Sequence, residues 1–61
     1  MMYILINERT KNYFKKEMLN EVCIDVDNIE EARKFDTKQE AENKCKLLGG
    51  ERDRYFVVEI N

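Results

Sequence analysis

Two thiols, Cys23 and Cys45, are the strongest nucleophiles in this 61-residue chain, and neither histidine nor serine accompanies them. Without imidazole there is no Ser-His-Asp or Cys-His arrangement, no imidazole general base and no histidine metal ligand. The thiols stand 22 residues apart with no CxxC pair, so they could fill only half of a tetrahedral zinc shell. Lone cysteines of this kind read as small buried hydrophobes. The two glycines, Gly49 and Gly50, are adjacent, which leaves no phosphate-cradling GxGxxG or Walker loop. Carboxylates are plentiful, but Glu30, Glu31, Glu40 and Glu42 suit helix starts and helix surface better than a paired acid and base. The residue inventory points away from an enzyme and implies no cofactor and no metal.

The elements that carry these residues are easier to read. Phe35-Asp36-Thr37-Lys38-Gln39-Glu40-Ala41 has the form of a strand end followed by a helix start. Thr37 and Glu40 have the spacing of a capping box, in which the hydroxyl takes the N3 amide and the carboxylate reaches back to the N-cap amide. Ala41, Cys45 and Leu48 then recur at i, i+4 and i+7, a narrow apolar stripe, before a stop at Gly49. Tyr3–Ile6 and Tyr13–Lys16 form a hairpin pattern around a polar stretch that lacks Asn-Gly or Asp-Gly, so its register is open. Val22–Val26 reads as a third extended segment, with Val22, Ile24 and Val26 on one side. Asn28 and Glu31 repeat the capping spacing, with room for a single helical turn. Tyr55–Ile60 is the closing strand.

One domain spanning residues 1–61 is all the length allows, and such a chain buries only roughly 60% of the surface that its unfolded form exposes. Hydrophobic residues make up 43% and charged residues 39%, a balance that suits a folded, soluble protein rather than a disordered one. The first apolar run is too short for a signal sequence or a membrane span and has no basic segment before it, so a cytoplasmic location is expected. A net charge of −2 argues against a dedicated nucleic-acid binder. The charge is unevenly spread: Arg9, Lys11, Lys15 and Lys16 form a basic block, and Glu21, Asp25, Asp27, Glu30 and Glu31 an acidic one. Two solvated surfaces that attract each other within the fold explain this most simply.

The order β-β-(β)-α-β defines an α+β domain, an antiparallel sheet of three or four strands with one helix packed on one face. The residues expected beneath the helix are Ile4, Ile6, Phe14, Phe56, Val58 and Ile60, with Phe35 at the edge. Tyr3, Leu5, Tyr13, Tyr55 and Val57 then fall on the uncovered side, where tyrosine suits a contact surface. A slip of one residue would exchange the two sets. Those five residues, with Lys15 and Lys16 of the charged hairpin, are the candidate partner-binding surface. A homodimer sealing two sheets back to back is the simplest use, and a different partner protein the next. A nucleic-acid-associated sheet protein that stacks bases on its tyrosines beside Lys15 and Lys16 is the alternative, opposed by the acidic block.

The chain also resembles, over roughly its full length, short proteins of low-GC Gram-positive bacteria and especially of their phages and prophages. The likeness rests on the opening Met2-Tyr3-Ile4-Leu5-Ile6-Asn7 and its turn Glu8-Arg9-Thr10-Lys11. It continues through Ile29–Ala41 and ends on Tyr55-Phe56-Val57-Val58-Glu59-Ile60. It implies a non-enzymatic accessory factor that binds and modulates a host protein, and it supplies no functional residues.

Overall fold

The computed structural model describes residues 1–18, 22–48 and 54–60. Strands β1 (Met2–Asn7), β2 (Tyr13–Glu17) and β3 (Cys23–Val26) are followed by a 3₁₀ turn (Ile29–Glu31), helix α1 (Lys38–Leu48) and strand β4 (Tyr55–Ile60). The strands form one antiparallel sheet in the order β3-β2-β1-β4, and α1 packs against β1 and β4. This is the expected α+β class, with four strands.

Local chemistry explains the boundaries. The Thr37 hydroxyl accepts from the Glu40 amide at 3.1 Å and donates to the Glu40 carboxylate at 3.3 Å. The helix therefore begins where the Thr37–Glu40 spacing requires, with the glutamate holding the hydroxyl instead of the N-cap amide. The Asn28 side chain accepts from the Glu30 amide and starts the single 3₁₀ turn. The helix stop at Gly49 and Gly50 lies outside the described residues. The first hairpin turns on Asn7. Its side-chain oxygen accepts the amides of Arg9 and Thr10, its carbonyl accepts from Lys11, and Lys11 takes a left-handed backbone with φ of 66°. A short amide in place of Asn-Gly thus closes the turn. The register that results places Ile6 opposite Tyr13.

The facing of β1 and β4 is the reverse of the expected one. Leu5, Phe14, Phe35, Ala41, Leu48 and Tyr55 make the buried cluster beneath α1, and Tyr3, Cys23, Cys45 and Val57 pack against it. Leu5 is 0% and Tyr55 7% exposed. Ile4, Ile6, Phe56, Val58 and Ile60 occupy the side away from the helix, and only Phe14 and Phe35 of the expected set lie beneath it. On β3 it is Cys23 and Asp25 that turn toward the helix side, where Asp25 meets the Tyr55 hydroxyl. The physical reason is that both faces of β1 and β4 are apolar, so period-two alternation carries no sign. Ile4, away from the helix, is itself 0% exposed, so that face is not bare across its centre. The chain returns from β3 to β1 through buried Ala32. The Arg33 amide donates to Phe14, and Phe35 exchanges two backbone bonds with Tyr3.

Candidate binding surface

The five residues expected on an open face are divided by the fold. Tyr3, Leu5, Tyr55 and Val57 lie on the helix side, Leu5 and Tyr55 buried and the other two half-buried. Tyr13 stays on the far side, half-buried opposite Ile6. They do not form one patch. Lys15 is 4.0 Å from Glu31, an attraction between the basic and acidic blocks inside the fold, while Lys16 is exposed.

The helix-side tyrosine instead serves a polar network. Asn7, buried to within 1% of its surface, donates to one oxygen of Asp25 at 2.9 Å, and the Tyr55 hydroxyl donates to the other at 2.8 Å. The Tyr55 ring meets Phe14 edge-on at 5.8 Å on the way. Burial first, then the Asp25 hydrogen bond and charge, hold the Tyr55 hydroxyl well above its ordinary titration range. This network joins β1, β3 and β4 and leaves Tyr55 no surface to offer a partner.

The thiols are not joined in a disulfide. Cys45 donates to the Tyr55 carbonyl at 2.9 Å, and burial followed by the charge of Glu42 raises its titration above the ordinary thiol value. A thiol held neutral in this way is a poor nucleophile. Among the described residues no three His, Cys, Asp or Glu side chains gather where they could hold a metal ion. No helix among them is long and apolar enough to cross a membrane.

What the fold does present is the outer edge of β4. Register pairs run from Met2↔Ile60 to Asn7↔Tyr55, and the Glu8 amide donates to the Arg54 carbonyl beyond them. In an antiparallel ladder hydrogen-bonded pairs alternate, so Phe56, Val58 and Ile60 turn their backbone groups toward β1. Tyr55, Val57 and Glu59 turn theirs outward. The Tyr3 and Asn7 amides, which bond away from β4 to Phe35 and Asn12, confirm the phase. Of the outward groups, the Tyr55 carbonyl takes the Cys45 thiol; among the described residues the amides and carbonyls of Val57 and Glu59 meet no backbone partner.

Beside this edge, between β4 and α1, runs a groove of about 370 Å³ lined by Lys38, Glu42, Cys45, Lys46 and Val57. The lysines and the glutamate are spaced four apart along one helix stripe, and Cys45 and Val57 supply the apolar floor. Lys38, Lys46 and the outward amides carry no motif, and no sequence signal marks them; only the strand order makes β4 an edge. Compared with protein-family models, curated proteins and solved structures, the chain has no match.

Proposed function

We propose that this chain is a non-enzymatic protein-binding module, an accessory factor of the phage type. It holds an extended segment of a host protein along the outer edge of β4 and so modulates that protein. The observation that carries the reading is the alternation on β4: Val57 and Glu59 direct outward amides and carbonyls that meet no backbone partner among the described residues, beside a groove floored by Cys45 and Val57. A strand added at such an edge gains main-chain hydrogen bonds for affinity, and alternate side chains entering the groove give selectivity. The β4 sequence YFVVEI has no proline and no lysine to discourage pairing. A nucleic-acid role through Tyr13, Lys15 and Lys16 has weaker support, because Lys15 faces Glu31 and Tyr13 is half-buried.

Glu59→Pro tests the proposal. It deletes one outward amide and none of the bonds to β1, so the far- and near-ultraviolet circular dichroism should be unchanged. Capture of a host protein from lysate should be lost with this variant and retained with the parent chain. Equal capture by both would overturn the proposal.

A further inference from the structure

The groove also selects one side chain of the added segment, an inference that rests on the strand-addition reading above. Val57 turns its side chain to the helix side, against the buried cluster, and its amide and carbonyl outward. In an antiparallel pair, residues directly opposite each other share a face. The residue of an added strand that pairs with Val57 therefore carries its side chain to the helix side too. There it enters the groove lined by Lys38, Glu42, Cys45 and Lys46, whose volume of about 370 Å³ admits an aromatic ring.

The charges around that position balance. Lys38 and Lys46 supply two ammonium groups and Glu42 one carboxylate, all on exposed helix surface. Glu59, on the helix side opposite Tyr3, adds a second carboxylate two residues from Val57. At the floor, burial and then the charge of Glu42 already hold the Cys45 thiol neutral, so a carboxylate placed there meets the same opposition. An ammonium group placed there meets the two lysines. A neutral ring meets neither penalty. Lysine stems can lie along it, an ammonium group is attracted to its face, and the thiol floors the site as a small hydrophobe.

We infer that the β4 edge takes an extended protein segment with an aromatic side chain at the position paired with Val57, its ring seated between β4 and α1. A second copy of this chain is a poorer occupant. Tyr55 is the one aromatic residue of β4 on the helix side, and it is not free to be donated. Its ring is buried edge-on against Phe14 and its hydroxyl is held by Asp25.

The test is titration of the ¹⁵N,¹³C-labelled chain with the capped peptide acetyl-Gly-Ser-Thr-Val-Phe-Val-Thr-Ser-Gly-amide and with counterparts in which alanine, glutamate or lysine replaces the phenylalanine. The expected result is that the phenylalanine peptide shifts the Val57 and Glu59 amides and, through its ring current, the Val57 methyl groups. The other three peptides should bind about tenfold more weakly, as the loss of one partly buried ring allows. The double variant Lys38→Ala/Lys46→Ala, both changes being on exposed helix surface, should shrink the preference for phenylalanine over alanine. Equal binding of the phenylalanine and alanine peptides at β4 would overturn the aromatic inference and leave strand addition standing. Tightest binding by the glutamate or lysine peptide would do the same. A preference unchanged in the double variant would mean that the ring sits elsewhere, and would also overturn the inference. No shift at Val57 or Glu59 with any peptide would overturn both readings. A free chain that is already a dimer, with those amides protected, would show that the second copy is the occupant and overturn the inference.

Discussion

The two edges of this sheet are built differently. β3 is four residues long, all half-buried, and its ladder with β2 is broken by an irregularity between Phe14 and Lys16. Its Asp25 is anchored beneath the sheet by Asn7 and Tyr55. β4 is six residues long and regular throughout its pairing with β1. Its one charge, Glu59, sits next to its last residue, and the helix leaves a groove beside Val57. Short, charged and irregular edges discourage further pairing, whereas long regular apolar ones invite it. The contrast teaches that the same small domain can hold a short, irregular edge strand by a polar network and build the opposite edge from a long, regular one.

The comparison can be broken from either side. The largest effect is expected within β4 itself: Val58→Pro deletes an amide that bonds β1. It leaves the Ile4 carbonyl buried without a donor, at about 1–3 kcal/mol for that group alone, which urea unfolding should register. Next comes Asp25→Ala on the β3 side. It removes the acceptor of two hydrogen bonds to a charged group, and a loss of about 2 kcal/mol is expected from the midpoint of the same unfolding curve.

Tyr55→Phe removes one of those bonds and should cost about 1 kcal/mol. It also carries a pH signature. In the folded chain Tyr55 keeps its proton above the ordinary value of 10.0, chiefly through burial. The unfolded chain loses that proton near the ordinary value, so the folded state binds more protons there and stability falls as pH rises. Below that value the contribution is fully present. Thermal unfolding across the alkaline range should show a shallower decline in Tyr55→Phe than in the parent chain. The smallest effect belongs to Glu59→Pro, which should change unfolding by no more than about 0.5 kcal/mol. If Glu59→Pro proved as damaging as Val58→Pro, the assignment of inward and outward amides would be wrong.

Much of the fold was legible in the sequence because its junctions carry local chemistry. Thr37 and Glu40 set the helix start, Asn28 the short turn, and Ala41, Cys45 and Leu48 the buried stripe. The facing of β1 and β4 was not legible. Tyr3-Ile4-Leu5-Ile6 and Phe56-Val57-Val58 are apolar at successive positions, so alternation alone cannot tell which set meets the helix. Asn7 carries a local signal of its own. An asparagine buried at the end of an apolar run, before a turn without glycine, is suited both to closing that turn and to meeting a charge across the sheet. The outer edge proposed to bind was hidden for a further reason. Backbone groups carry no sequence signature, and β4 becomes an edge only through the order β3-β2-β1-β4, a long-range outcome of pairing the last strand with the first.

The most direct test of the open β4 edge is residue-resolved amide hydrogen exchange of the chain alone. The account predicts alternation along the strand: slow exchange at Phe56, Val58 and Ile60, whose amides bond to β1, and exchange near the unfolded rate at Val57 and Glu59. Uniform protection from Phe56 to Ile60 would mean that the outer edge is already covered, and would contradict the claim that it awaits a partner.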